Sequence, residues 1–124
     1  MSIPTPKQNI GTLGEKIATR FLKNKNHKIF TTNYRSGRGE IDIISLDKKT
    51  KELVFVEVKS RSTSSGSLPE KMVSPKKRAK VVQTAHEFLF KNKILSSQNY
   101  RFDVVAVEID LNLRSARVTH FKYI

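Results

Sequence analysis

The sequence contains no cysteine, and that single absence closes several routes. It excludes a disulfide scaffold, a thiolate zinc site and a cysteine nucleophile, and it fits a reducing compartment. No apolar run is long enough to span a bilayer. The opening residues, Met-Ser-Ile-Pro-Thr-Pro, lack the apolar core of a secretory leader. These absences predict a soluble, cytoplasmic protein without a membrane partner. Acids are scarce as well: 11 Asp and Glu stand against 24 Lys and Arg, for a net charge of +13 in 124 residues. Such a field attracts polyanions, and nucleic acid is the commonest of them in a cytoplasm. An anionic membrane surface and simple solubility are the rival readings of the charge. His27, His86 and His120 show no metal-ligand spacing and are read as structural or surface residues.

The length suits one domain over residues 1–124, with 1–10 expected to be a flexible basic arm. Leu13, Ile17, Ala18, Phe21 and Leu22 recur at helical spacing, which predicts a helix over 11–26. Thr12 and Glu15 have the spacing of a capping box at its start. Strands are predicted over 28–32, 40–46, 53–59, 101–109 and 116–123, where β-branched and aromatic residues concentrate. A turn is expected at 36–39 and a mobile loop over 61–70. Ser74 and Pro75 mark the start of a second helix reaching about residue 92, with Val81, Val82, Ala85, Phe88 and Leu89 facing inward. The order is αβββαββ, an α/β fold with a mixed sheet flanked by helices.

Two carboxylates interrupt otherwise apolar strands. Asp42 lies between isoleucines and Glu57 between valines. Burying an unpaired carboxylate is costly, so such groups need a partner, and a divalent cation is one. Side chains at i and i+2 share a strand face, which places Phe55, Glu57 and Lys59 together. If the hairpin closes symmetrically through 47–52, Asp42 faces Glu57 and Glu40 faces Lys59. Facing carboxylates repel unless a cation lies between them. Hard oxygen ligands suit Mg²⁺ or Mn²⁺, and Lys59 then stands where charge develops on a phosphate.

The pattern Asp42…Glu57-x-Lys59 resembles the PD-(D/E)XK nuclease superfamily. More closely, the chain resembles the YraN family in Gly14-Glu15, Gly39-Glu40-Ile41-Asp42, Phe55-Val56-Glu57-Val58-Lys59-x-Arg61, Lys77 and Arg101-Phe102-Asp103. Ile41 stands where the superfamily pattern has proline. The resemblance implies a restriction-endonuclease-like core, similar to archaeal Holliday-junction resolvases. It also implies Glu15, Asp42 and Glu57 as metal ligands and Lys59 as the catalytic lysine. Glu15 retains its plainer reading as the acid of the capping box. Asp103 is expected in a buried hydrogen bond with Arg101 or the backbone.

Arg61, Lys76, Lys77 and Arg38 are the candidate phosphate contacts, the two lysines because a basic helix start can grip phosphate. The expected function is metal-dependent hydrolysis of DNA phosphodiester bonds, with branched DNA among the candidate substrates and a homodimer expected if junctions are cut. The alternatives are a non-catalytic nucleic-acid-binding protein on the same fold, and a module that docks an acidic protein or membrane.

Overall fold

Helix α1 spans Pro6–Asn24 in the computed structural model, which describes residues 6–37, 39–63 and 74–124. The helix thus begins at Pro6, within the stretch expected to be an arm. Proline is favoured in a first turn because its φ is preset and its missing N–H would have no helical partner there. Thr12 and Glu15 are consequently helix-interior and form no capping box, which leaves the Glu15 side chain free for other contacts. The stripe Leu13, Ala18 and Leu22 is buried, with Ile10, Ile17 and Phe21 at its margin. Beyond Asn24 the Lys25 N–H bonds back to Phe21 and Leu22, and Asn26 at φ 69° turns the chain into the sheet.

The sheet contains β1 (His27–Ser36), β2 (Gly39–Asp47), β3 (Glu52–Ser62), β4 (Tyr100–Asp110) and β5 (Ser115–Phe121), ordered β1-β2-β3-β4-β5. Only β3 and β4 run parallel; the other neighbours are antiparallel. The element order is αβββαββ, as the sequence predicts, and is consistent with a restriction-endonuclease-like core. β1 is longer than expected because its second half is an exposed edge whose polar residues hide the strand pattern. Its register shifts between Ile29 and Thr31, leaving Phe30 as the extra, exposed residue of a bulge. Bulges and charges of this kind protect sheet edges from adventitious pairing.

Strand alternation divides the core. Val54 and Val56 pack with Ile43, Val105 and Val107 under α1. Phe55 and Ile44 pack with Ala85 and Phe88 under α2 (Pro75–Lys91); Ile41 joins them there, so strict alternation in β2 lapses between Ile41 and Ile43. The sheet is therefore sandwiched between the two helices. Helix α2 starts as its residues dictate: Ser74 accepts the Lys77 N–H through Oγ at 3.2 Å, and Pro75 occupies the first turn. Each fully buried Ile, Leu or Phe contributes about 1.5–3 kcal/mol.

Candidate active site

The β2–β3 ladder runs from Asp47–Glu52 to Ile43–Val56, the register that symmetric closure predicts. At the next position the strands part. Asp42 does not face Glu57 as a ladder pair; its carboxylate turns into the gap and accepts the Val58 N–H through Oδ2 at 2.7 Å. β3 continues beside β4 as far as Ser62–Ile109, while β2 continues beside β1 to Gly39–Ser36. The site lies in this fork. It collects Asp42 from β2, Glu57 and Lys59 from β3, Glu15 from α1 and Lys77 from α2.

The charges of these groups act on one another. Burial pushes the Asp42 carboxyl up to about 7; the Val58 N–H opposes this, while the charges of Glu57 and Glu15 add to it. Burial also raises Glu15, against a hydrogen bond from Asn33 and with the charges of Glu40 and Glu57 adding. Glu57 is buried at 8% exposure and is neutralised by ammonium groups: Lys77 Nζ pairs closely with Oε1, and Lys59 Nζ stands 3.6 Å away. Burial and the neighbouring Lys77 hold Lys59 below the usual lysine value, whereas its bond to Glu57 lifts Lys77.

Glu40 does not reach Lys59. It pairs with Arg35 at 3.4 Å, because the hairpin carries this end of β2 away from β3. Arg61 is bonded to Glu108 of the neighbouring strand, which ties down one of the expected phosphate contacts. Lys76 and Lys77 line a cavity of about 490 Å³ with Arg35, Glu40 and Lys80. Arg38 lies outside the described residues, as does most of the expected loop 61–70.

Two glycines from the sequence pattern have a steric reason. A Cβ on Gly14 would sit 1.7 Å from Ser60 Oγ and 2.7 Å from Ser60 Cβ, so only glycine lets α1 settle on β3 with Glu15 beside the acid pair. A Cβ on Gly39 would meet Thr84 Oγ1 at 1.8 Å and the Lys80 carbonyl at 3.3 Å. Gly14→Ala is expected to cost about 1–3 kcal/mol, the usual range for overpacking. Urea denaturation measures this, and an unchanged midpoint would show that α1 can shift freely.

The residues fit a hard divalent cation in one specific sense. Among the described residues no group of three or more His, Asp or Glu is arranged to hold an ion. Asp42 and Glu57 nevertheless form a two-carboxylate set, which is what Mg²⁺ requires from a protein when water and phosphate oxygens complete its shell. Burial raises the Asp42 carboxyl, and the charges of Glu57 and Glu15 add to the rise, which is the part that a cation between these acids would relieve.

Lys16, Arg20 and Lys23 are not among the candidate phosphate contacts that the sequence singles out. They line a second groove, of about 760 Å³, between α1 and β1. Their i, i+4, i+7 spacing, opposite the apolar stripe, was the available signal.

A family profile described as "Uncharacterised protein family UPF0102" matches residues 14–107. A UPF0102 protein from Clostridioides difficile is 43% identical over 110 residues, covering 89% of this chain and 90% of that protein. One from Alkaliphilus oremlandii is 40% identical over 103 residues, covering 82% and 86% respectively. One from Syntrophus aciditrophicus is 42% identical over 105 residues, covering 85% and 80%. The matched span includes Glu15, Asp42, Glu57, Lys59 and Lys77.

Proposed function

The chain belongs to the UPF0102 family, and from the geometry its residues adopt we propose that it is a divalent-cation-dependent endonuclease hydrolysing DNA phosphodiester bonds. The observation that carries this reading is the fork itself: two carboxylates from adjacent strands converge with the Lys59 ammonium 3.6 Å from one of them. Mg²⁺ or Mn²⁺ held by Asp42 and Glu57 would supply Lewis acidity toward a phosphodiester. Glu57 is held by its burial and its pairing with Lys77, and Asp42 by the Val58 N–H. Lys59 presents positive charge to the oxygens of a phosphate in the fork, where preorganised charge is most effective. Glu15 adds a further acceptor on the α1 side. In the reaction, the oxygen of water bonds to phosphorus, the bond to one sugar oxygen breaks, and a proton from the water ends on that leaving oxygen. Among the described residues no helix is long and apolar enough to cross a membrane.

The test incubates the protein with plasmid and branched DNA in Mg²⁺ or Mn²⁺, with EDTA as control. Cleavage is expected with the cation, and Lys59→Ala is expected to slow it about 10²-fold or more. Metal-dependent cutting at full rate by Lys59→Ala would remove the fork from the reaction. One observation favours a second reading, a non-catalytic nucleic-acid binder: Lys77 and Lys59 both pair with Glu57 and offset its charge. That reading predicts salt-sensitive DNA binding with no cleavage in either cation.

A further inference from the structure

Helix α1 carries three cations on one face. Lys16, Arg20 and Lys23 are all exposed, and none makes an ion pair among the described residues. Like charges at i, i+4 destabilise a helix by a few tenths of a kcal/mol, so the row carries a small cost that nothing described in the fold offsets. The opposite wall of the groove is β1, which contributes Thr32, Asn33 and Arg35, while Thr12 and Thr19 add hydroxyls from α1. Glu15 also lines this groove, and the packing of Gly14 on Ser60 sets Glu15 against the part of β3 that carries Lys59, so the groove opens toward the fork. Arg35 lines both this groove and the cavity that holds Lys76, Lys77 and Lys80. Basic side chains therefore line a track from Lys23 by way of Arg35 to the start of α2, with Glu15 on its wall.

We propose that the groove between α1 and β1 carries the sugar–phosphate backbone of DNA to the acid pair, with Lys16, Arg20 and Lys23 contacting its phosphates. The proposal deepens the nuclease reading and takes the identity of the polyanion from it. Phosphate contacts of this type set position and orientation and leave base sequence unread. Exposed lysine and arginine heads on a helix held by its other face need no rearrangement to make them.

The experiment is fluorescence anisotropy of a short labelled DNA duplex with the full chain in EDTA, where cleavage cannot intervene, titrated from about 50 to 200 mM salt. The groove variant combines Lys16→Gln, Arg20→Gln and Lys23→Gln. The control combines Lys48→Gln, Lys49→Gln and Lys51→Gln in the exposed β2–β3 turn, with the same loss of charge. The groove variant is expected to lose about 2–3 units of log–log salt slope and at least about tenfold in affinity, while the control keeps most of both. Arg20→Gln alone should remove about one unit, which keeps the result readable if the triple variant folds poorly. Equal losses in the two triple variants, or an unchanged groove variant, would overturn the proposal. The outcome is separate from that of the Lys59→Ala cleavage assay: groove-dependent binding without cleavage keeps this inference and removes the nuclease reading. Cleavage with groove-independent binding does the reverse.

Discussion

Asp42→Asn is expected to impair cation-dependent DNA cleavage strongly and, in EDTA at pH 8, to make the protein harder to unfold. Folded Asp42 keeps its proton to about pH 7, whereas the free carboxyl releases it near 3.8. Between those values the folded state binds the extra proton, so the Asp42 contribution to stability falls as pH rises and its penalty is complete above about 7. Asparagine removes the charge and still offers an oxygen to the Val58 N–H. Each unit of displacement corresponds to about 1.4 kcal/mol. With solvent and Lys77 screening the site, the expected gain is about 1–3 kcal/mol at pH 8, shrinking toward zero below pH 4. Urea unfolding at the two pH values measures it. A gain equal at both would mean that Asp42 is not strained by its charge. Added Mg²⁺ should stabilise the wild type and leave the variant unmoved. Cleavage should drop about 10²–10³-fold, the scale of losing one preorganised electrostatic partner. Stability surrendered to keep a charge at a working site is a familiar trade.

Arg101→Met is expected to be the most destabilising substitution in the chain, at about 3–5 kcal/mol, without touching the fork. Arg101 lies at the opposite end of the β2–β3 hairpin with a side chain 2% exposed. Its Nε donates to both Asp103 oxygens at 3.0 and 3.1 Å, and Nη1 donates to Asp47 at 3.1 Å and Glu52 at 2.7 Å. His120 adds a 2.7 Å contact to Asp103, and His27 binds Ser45 at 2.9 Å. These bonds join β1, β2, β3, β4 and β5. Methionine would fill the volume but leave Asp103 and Asp47 buried with their principal cation gone. Burial works against both acids, yet Arg101 and backbone N–H groups hold Asp47 down to about 2, and His120, Arg101 and the Tyr123 N–H hold Asp103 below its usual value. The stabilisation from these depressed carboxyls is complete above about pH 4 and disappears as pH falls through about 2. The wild type should therefore lose stability steeply over that window and the variant only gently. Denaturant titrations at several pH values compare the slopes, and parallel curves would rule out Arg101 as the group that holds the acids ionised.

Asp103 is the buried partner of Arg101, as the sequence predicts; His27 and His120 are structural, and His86 lies at the surface beside Tyr100. The cluster's five-strand extent was beyond sequence reasoning, because Asp47 and Glu52 looked like an ordinary polar turn.

Much of the site was legible because its cause is local. The alternation of Val54, Phe55, Val56, Glu57 and Val58 fixes which side chains share a face, and the turn after Asp47 fixes the register through Ile43–Val56. Ser74 and Pro75 announced α2 because capping chemistry acts within one turn. The basic surface was evident from composition alone. The tertiary structure decided what lies beyond the ladder. Helix packing at Gly14–Ser60 and Gly39–Thr84 and the divergence of β2 from β3 turn Asp42 onto the Val58 N–H. The same divergence sends Glu40 to Arg35. Lys77, some twenty residues from Glu57 along the chain, becomes its counter-ion because α2 crosses that sheet face. Periodicity is a property of neighbouring residues and can be read from sequence. The partner of a charge is set by where separate elements come to rest, and only the folded chain specifies that.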